Sequence, residues 1–133
     1  MNLKNSLIGL LLMAVSAGAM AEWTKIGAAA DGKFDSYVDL STIRKSGNTA
    51  KMWDVKDYKK AQTATNGKPY LSAMSRLEYD CNEEQMRVLS DYAYSGNMKN
   101  GDIIEQWNGV TNWYSILPES IGEVELKIAC GAK

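Results

Sequence analysis

Short glycine-containing pairs punctuate the chain from one end to the other: Asp31-Gly32, Ser46-Gly47, Asn66-Gly67, Ser95-Gly96, Asn100-Gly101 and Asn108-Gly109. Such pairs accept the positive φ of tight turns, so they mark hairpin ends and confine the segments between them to strand length. Those segments mostly alternate in polarity. From Leu71 to Cys81 one face carries Leu71, Ala73, Leu77, Tyr79 and Cys81, and the other carries Met74, Arg76, Glu78 and Asp80. A period of two is that of a half-buried strand. The next stretch repeats it, with Met86, Val88, Tyr92 and Tyr94 on one side and Arg87 and Asp91 on the other, and Cys81 to Gln85 forms the turn between the two. Trp23 to Ile26, Lys33 to Val38, Lys51 to Lys59 and Asp102 to Trp107 read as further strands. In Lys51 to Lys59, Trp53 and Val55 face one way and Lys56 and Tyr58 the other. The pattern predicts about six antiparallel strands in one domain.

The period changes at Pro118. Leu117, Ile121, Val124 and Ile128 are spaced as one face of a helix. Pro118 suits a first helical position, Glu119 favours the positive end of the helix dipole, and Gly131 lies just past the end. The expected fold is therefore α+β, an antiparallel sheet of about six strands packed against a C-terminal α-helix.

The first 21 residues stand apart from this pattern. Lys4 provides a basic start, Leu7 to Val15 an apolar middle, and Ala19-Met20-Ala21 the small residues that a signal peptidase cuts after. The apolar part is shorter than the roughly 20 residues that a membrane span needs. The expectation is a cleavable signal peptide over 1–21 and an exported, mature chain over 22–133 with no integral membrane anchor. No Cys ends the apolar run, so the acceptor for a lipid anchor is missing from the signal. Export places Cys81 and Cys130 in an oxidising compartment, where two thiols allow one intramolecular bridge. Closing a loop of about 50 residues stabilises a fold by roughly 4 kcal/mol in the chain-entropy model. A metal or redox role for the pair is disfavoured by the absence of Cys-x-x-Cys spacing and of any His. Cys130 ends the predicted helix and Cys81 lies on the apolar face of a strand, so the bridge staples helix to sheet.

The same composition narrows the chemistry. With no His, imidazole-based nucleophile systems, imidazole zinc sites and proximal-His haem are excluded, and a net charge of -1 is no basis for nucleic-acid binding. Glu83-Glu84 is the one adjacent carboxylate pair and lies in a predicted exposed turn, unlike the opposed carboxyls of a glycosidase. Phosphate loops and Ser-x-x-Lys or Gly-x-Ser-x-Gly motifs are absent, so neither an enzyme nor a cofactor is expected. Lys51, Lys56, Lys59 and Lys60 form a modest basic cluster interrupted by Asp54 and Asp57. It reads either as a contact patch for an acidic polysaccharide or host protein, or as a strand edge guarded by lysines against aggregation. The four Trp, seven Tyr and Phe34 are expected to supply much of the core. Rings near Asn108 to Asn112 are the ones placed to form a contact surface instead.

Several segments together resemble one family. Ser36-Tyr37-Val38-Asp39-Leu40-Ser41-Thr42-Ile43-Arg44-Lys45-Ser46-Gly47, then Met52-Trp53, Tyr79-Asp80-Cys81, and Trp113-Tyr114-Ser115-Ile116-Leu117-Pro118 through Ala129-Cys130 are similar, in order and in Cys position, to the surface-adhesin protein E family of exported bacterial proteins. The resemblance implies that 22–133 is a single adhesin E-like domain with the sheet, helix and disulfide already read from the residues. It further implies a homodimer on the outer surface that binds matrix components such as vitronectin, laminin and plasminogen. The lipid anchor of such an adhesin is the one feature the signal does not share. The expected function is accordingly an exported, non-enzymatic binding module contacting host matrix macromolecules, at the cell surface or beyond it. The alternative is a periplasmic inhibitor or envelope accessory protein with no adhesive role.

Overall fold

The computed structural model describes residues 22–131; the expected signal peptide lies outside the described residues. Six strands follow one another in sequence and in space: β1 (Thr24–Ala28), β2 (Phe34–Ser46), β3 (Thr49–Thr63), β4 (Pro69–Asp80), β5 (Gln85–Tyr94) and β6 (Ile103–Asn108). Every neighbouring pair is antiparallel. A short seventh strand, β7 (Tyr114–Ser115), continues the β6 side of β5 by pairing with Gln85 and Met86. The chain closes with α1 (Ile121–Cys130). A meander of this kind follows from the turn chemistry, since each hairpin is made locally. The tightest is β2 to β3, where Gly47 at φ 61° opens a two-residue loop between the paired Ser46 and Thr49.

The core lies between one sheet face and α1. Val38, Ala50, Met52, Leu77, Tyr79 and Met86 pack from the sheet against Leu126 and Ala129 from the helix. Tyr79 is the one fully buried ring among the described residues, so aliphatic, Met and Ala side chains dominate a core that was expected to be largely aromatic. Most other rings are half-buried, as in the edge-to-face contacts of Phe34 and Tyr70 with Tyr58, at 5.5 and 5.7 Å between centroids, and Trp107 and Tyr114 are exposed. The opposite face is covered in part by the β5–β6 connection. There Met98 N–H donates to Asp57 Oδ1 at 2.8 Å, and Ser72 Oγ donates to the Gly96 carbonyl at 2.6 Å.

Two expectations are corrected. In β5 the ladder passes from Arg76 opposite Ser90 to Leu77 opposite Val88, leaving Leu89 as an extra residue. This bulge reverses the parity of the strand. Met86 and Val88 face the helix as expected, whereas Tyr92 is carried to the other face, against Trp53, and Asp91 to the helix side, bonded to Ser75. The second correction concerns α1. Glu119 adopts φ 60°, which keeps Pro118 and Glu119 out of the helix, and Ser120 becomes the N-cap. The helix docks through Gly122, Glu125, Leu126 and Ala129, while Leu117 is 72% exposed and Val124 39%. Small residues explain the rotation. A Cβ built at Gly122 would meet Met86 Sδ at 3.4 Å, and Ala129 is wholly buried, so this face admits the closest approach to the sheet.

The cap is worth testing because a helix of ten residues is too short to be stable alone. Ser120 Oγ accepts from Glu123 N–H at 3.2 Å, and the Glu123 carboxylate accepts from Glu119 N–H at 3.2 Å. Ser120→Ala is expected to destabilise the protein by about 1 kcal/mol in urea unfolding. No measurable change would show that docking alone holds the first turn.

Candidate functional site

The four lysines singled out in the sequence are not one cluster in space. Lys51 lies between Arg44 of β2 and Glu78 of β4 on the face away from the helix. Lys56 points to the helix side and forms an ion pair with Asp54 at 3.1 Å. Lys59 and Lys60 sit farther along β3, where pairing with β4 lapses between Asp57 and Gln62. There they meet a residue that the sequence did not single out, Lys33. These three line a surface depression of about 340 Å³ together with Asp31, Gly32 and Gln62. Lys59 lies 3.6 Å from Asp35, which Lys25 also approaches to 3.6 Å, and Lys33 lies 3.8 Å from Asp31. Lys60 takes part in none of these pairs. No local pattern announced Lys33 as a partner; it arrives because Lys59 N–H donates to its carbonyl at 3.0 Å and extends the β2–β3 ladder by one rung.

A second charged group lies inside. Asp54 is 0% exposed and Glu125, which α1 brings down on it, is 1% exposed. Burial drives the Glu125 carboxyl well above its ordinary value, and the adjoining Asp54 charge adds to the rise. Asp54 Oδ1 and Glu125 Oε2 are buried without a hydrogen-bond partner, and burial beside Asp54 favours the protonated form of Glu125, the one form of that carboxyl able to donate there. Lys56 completes the group with a side chain 26% exposed. Burial pulls its ammonium down, but attraction to Asp54 first, and to Glu125 once that acid ionises, outweighs this and leaves it raised. Tyr79, from β4, is raised well above the usual phenol value by burial and then by the same carboxylates. With its two acids sealed beneath the helix, this group can hold α1 to the sheet but cannot receive a substrate.

The remaining expectations sort simply. Cys81 and Cys130 are bridged, with Cα atoms 5.8 Å apart, and join the end of β4 to the end of α1. Glu83 and Glu84 occupy the exposed β4–β5 turn, where Asp80 Oδ1 accepts from the N–H groups of Asn82 and Glu83. Trp107, Val110 and Tyr114 are exposed around the β6–β7 connection. Among the described residues no cluster of acids and cysteines is placed to hold a metal ion, and no helix is long and apolar enough to cross a membrane.

The architecture has solved counterparts. The selenomethionine form of Haemophilus influenzae protein E superposes with a TM-score of 0.59 at 12% identity, covering 80% of this chain and 84% of the other. A second crystal form of that protein gives 0.62 at 11% identity, covering 91% and 96%. Crystalline protein E from non-typeable Haemophilus influenzae gives 0.54 at 13% identity, covering 84% and 85%. At such identities the likeness speaks for the fold alone. No curated protein matches the chain in sequence. The family profile described as Surface-adhesin protein E matches residues 23–131, which span every strand, the helix and both cysteines. This chain therefore belongs to the surface-adhesin protein E family.

Proposed function

We propose that the protein is an exported, non-enzymatic binding module that attaches to host extracellular-matrix macromolecules once residues 1–21 have been removed. The observation that carries this reading is the family match over 23–131. Two features support it. The two buried acids lie where no substrate reaches them, and the exposed cations of Lys33, Lys59 and Lys60 gather on one depression, as suits a contact surface. The family also supports action as a homodimer at the cell surface.

The reading is tested by localisation followed by binding. Antibody and protease should reach the protein on intact cells, and the purified protein should bind immobilised vitronectin or laminin saturably at physiological salt. Quantitative release by osmotic shock without surface access, together with no saturable binding, would overturn adhesion in favour of a periplasmic accessory or inhibitory role.

A further inference from the structure

Adjacent residues of a regular strand point to opposite faces. Lys59 and Lys60 are adjacent in β3, yet both line the same depression. The reason is the break in the β3–β4 ladder, where Tyr58 to Ala61 stand against Leu71 alone between the pairs Asp57–Ser72 and Gln62–Tyr70. Such irregularities re-aim side chains and are frequent beside functional sites. Here Lys59 and Lys60 both come to line the depression beside Lys33 of the β1–β2 turn, to whose carbonyl the Lys59 N–H donates at 3.0 Å, while the Lys59 ammonium lies 3.6 Å from Asp35. The charge they gather is out of keeping with the whole. The chain carries a net charge of -1, but the depression is lined by Lys33, Lys59 and Lys60 against one acid, Asp31, with Asp35 beside it pairing Lys25 and Lys59.

We propose that this depression is a binding site for an acidic glycan, a chain whose sugar units carry sulfate or carboxylate groups beside free hydroxyls. The volume of about 340 Å³ is at the lower end of small-molecule sites and suits a sugar unit rather than a folded surface. Lysine ammonium groups meet the anionic substituents, and their aliphatic stems provide the apolar floor. The Gln62 amide and the Asp31 carboxylate are the groups that distinguish a glycan from an acidic peptide. Both can accept from sugar hydroxyls, which the carboxylate side chains of an acidic peptide do not offer.

The assignment deepens the binding-module reading and rests on it, but the two fail separately. A heparin-derived octasaccharide titrated into the isotopically labelled exported protein should shift the amide signals of Gly32, Lys33, Lys59, Lys60 and Gln62 and leave those of Arg44 and Lys51 in place. Lys33→Ala, Lys59→Ala and Lys60→Ala are each expected to weaken binding about fivefold, with affinity falling as salt rises. These side chains are exposed, and an unchanged thermal unfolding curve would verify each variant's fold. Shifts that map elsewhere, affinity unchanged in the triple variant, or equally tight binding of polyglutamate of matched charge would each overturn the glycan site. Matrix adhesion that survives in the triple variant would overturn the site while sparing the adhesive function. Octasaccharide binding at the depression without matrix adhesion would do the reverse.

Discussion

Replacing Cys81 and Cys130 together by Ser should lower the free energy of unfolding by about 4 kcal/mol. The bridged residues are 49 apart, so the oxidised chain unfolds with a closed loop that excludes a large share of its extended conformations. The loss is large against the roughly 5–15 kcal/mol that holds a domain of this size together. It also falls on one element. Of α1 only Glu125, Leu126 and Ala129 are fully buried, one of them an acid, with Ile128 half-buried against the same core, so the helix docks through a small apolar area. Without the bridge α1 is expected to exchange its amide protons faster than β3 and β4 do. Urea unfolding of the oxidised protein and the C81S/C130S variant, with hydrogen exchange resolved by residue, would check both statements. A difference below about 1 kcal/mol would mean that loop closure is not what the bridge contributes.

Lys56→Met is expected to cost about 3 kcal/mol, because it leaves the Asp54 carboxylate buried without its cation. Glu125→Gln should cost far less, since an amide can donate to Asp54 as a protonated carboxyl would. The two variants also separate by pH. Glu125 has a folded pKa well above its ordinary 4.5, so the native state holds a proton that the unfolded chain has given up. Its contribution is complete below about pH 4.5 and is lost as pH rises through the folded value. Asp91 of β5, raised from 3.8 by burial against the opposing Ser75 hydrogen bond, acts with the same sign. Lys56, Tyr58, Tyr79 and Tyr114, the other titrating groups around the pair, are all raised, and their contributions persist to about pH 10 before falling. Wild-type stability should therefore decline from mildly acidic pH upward, and Glu125→Gln should flatten that decline. A wild-type profile flat between pH 5 and pH 9 would show that Glu125 is not protonated beneath the helix.

The strand order, the terminal helix and the disulfide were legible from the sequence because each rests on local or exhaustive information. Gly47 and its counterparts mark turns that form within a few residues, β4 alternates, and a chain with two cysteines leaves one intramolecular pairing. What the sequence could not decide was which way the side chains point once a ladder slips. The extra Leu89 has no signature of its own, yet it sends Tyr92 and Asp91 to the faces opposite those expected from simple alternation. Of the expected Leu117, Ile121, Val124 and Ile128 stripe, Ile128 packs against the core, but Leu117 and Val124 are exposed, because close approach to Met86 needs the small Gly122 and Ala129.

Charge was harder still. Along β3 the lysines look alike, and their fates differ because Lys56 pairs with the buried Asp54 whereas Lys59 and Lys60, where pairing with β4 lapses, line a surface depression with Lys33. By itself the sequence determined the meander, the helix and the staple, because turn geometry and thiol chemistry act at short range or leave a single choice. Only the tertiary structure decided which lysine became the half-buried counter-ion of Asp54 and which were left exposed on the surface depression, because solvation and Coulomb energy depend on groups that folding brings from far along the chain.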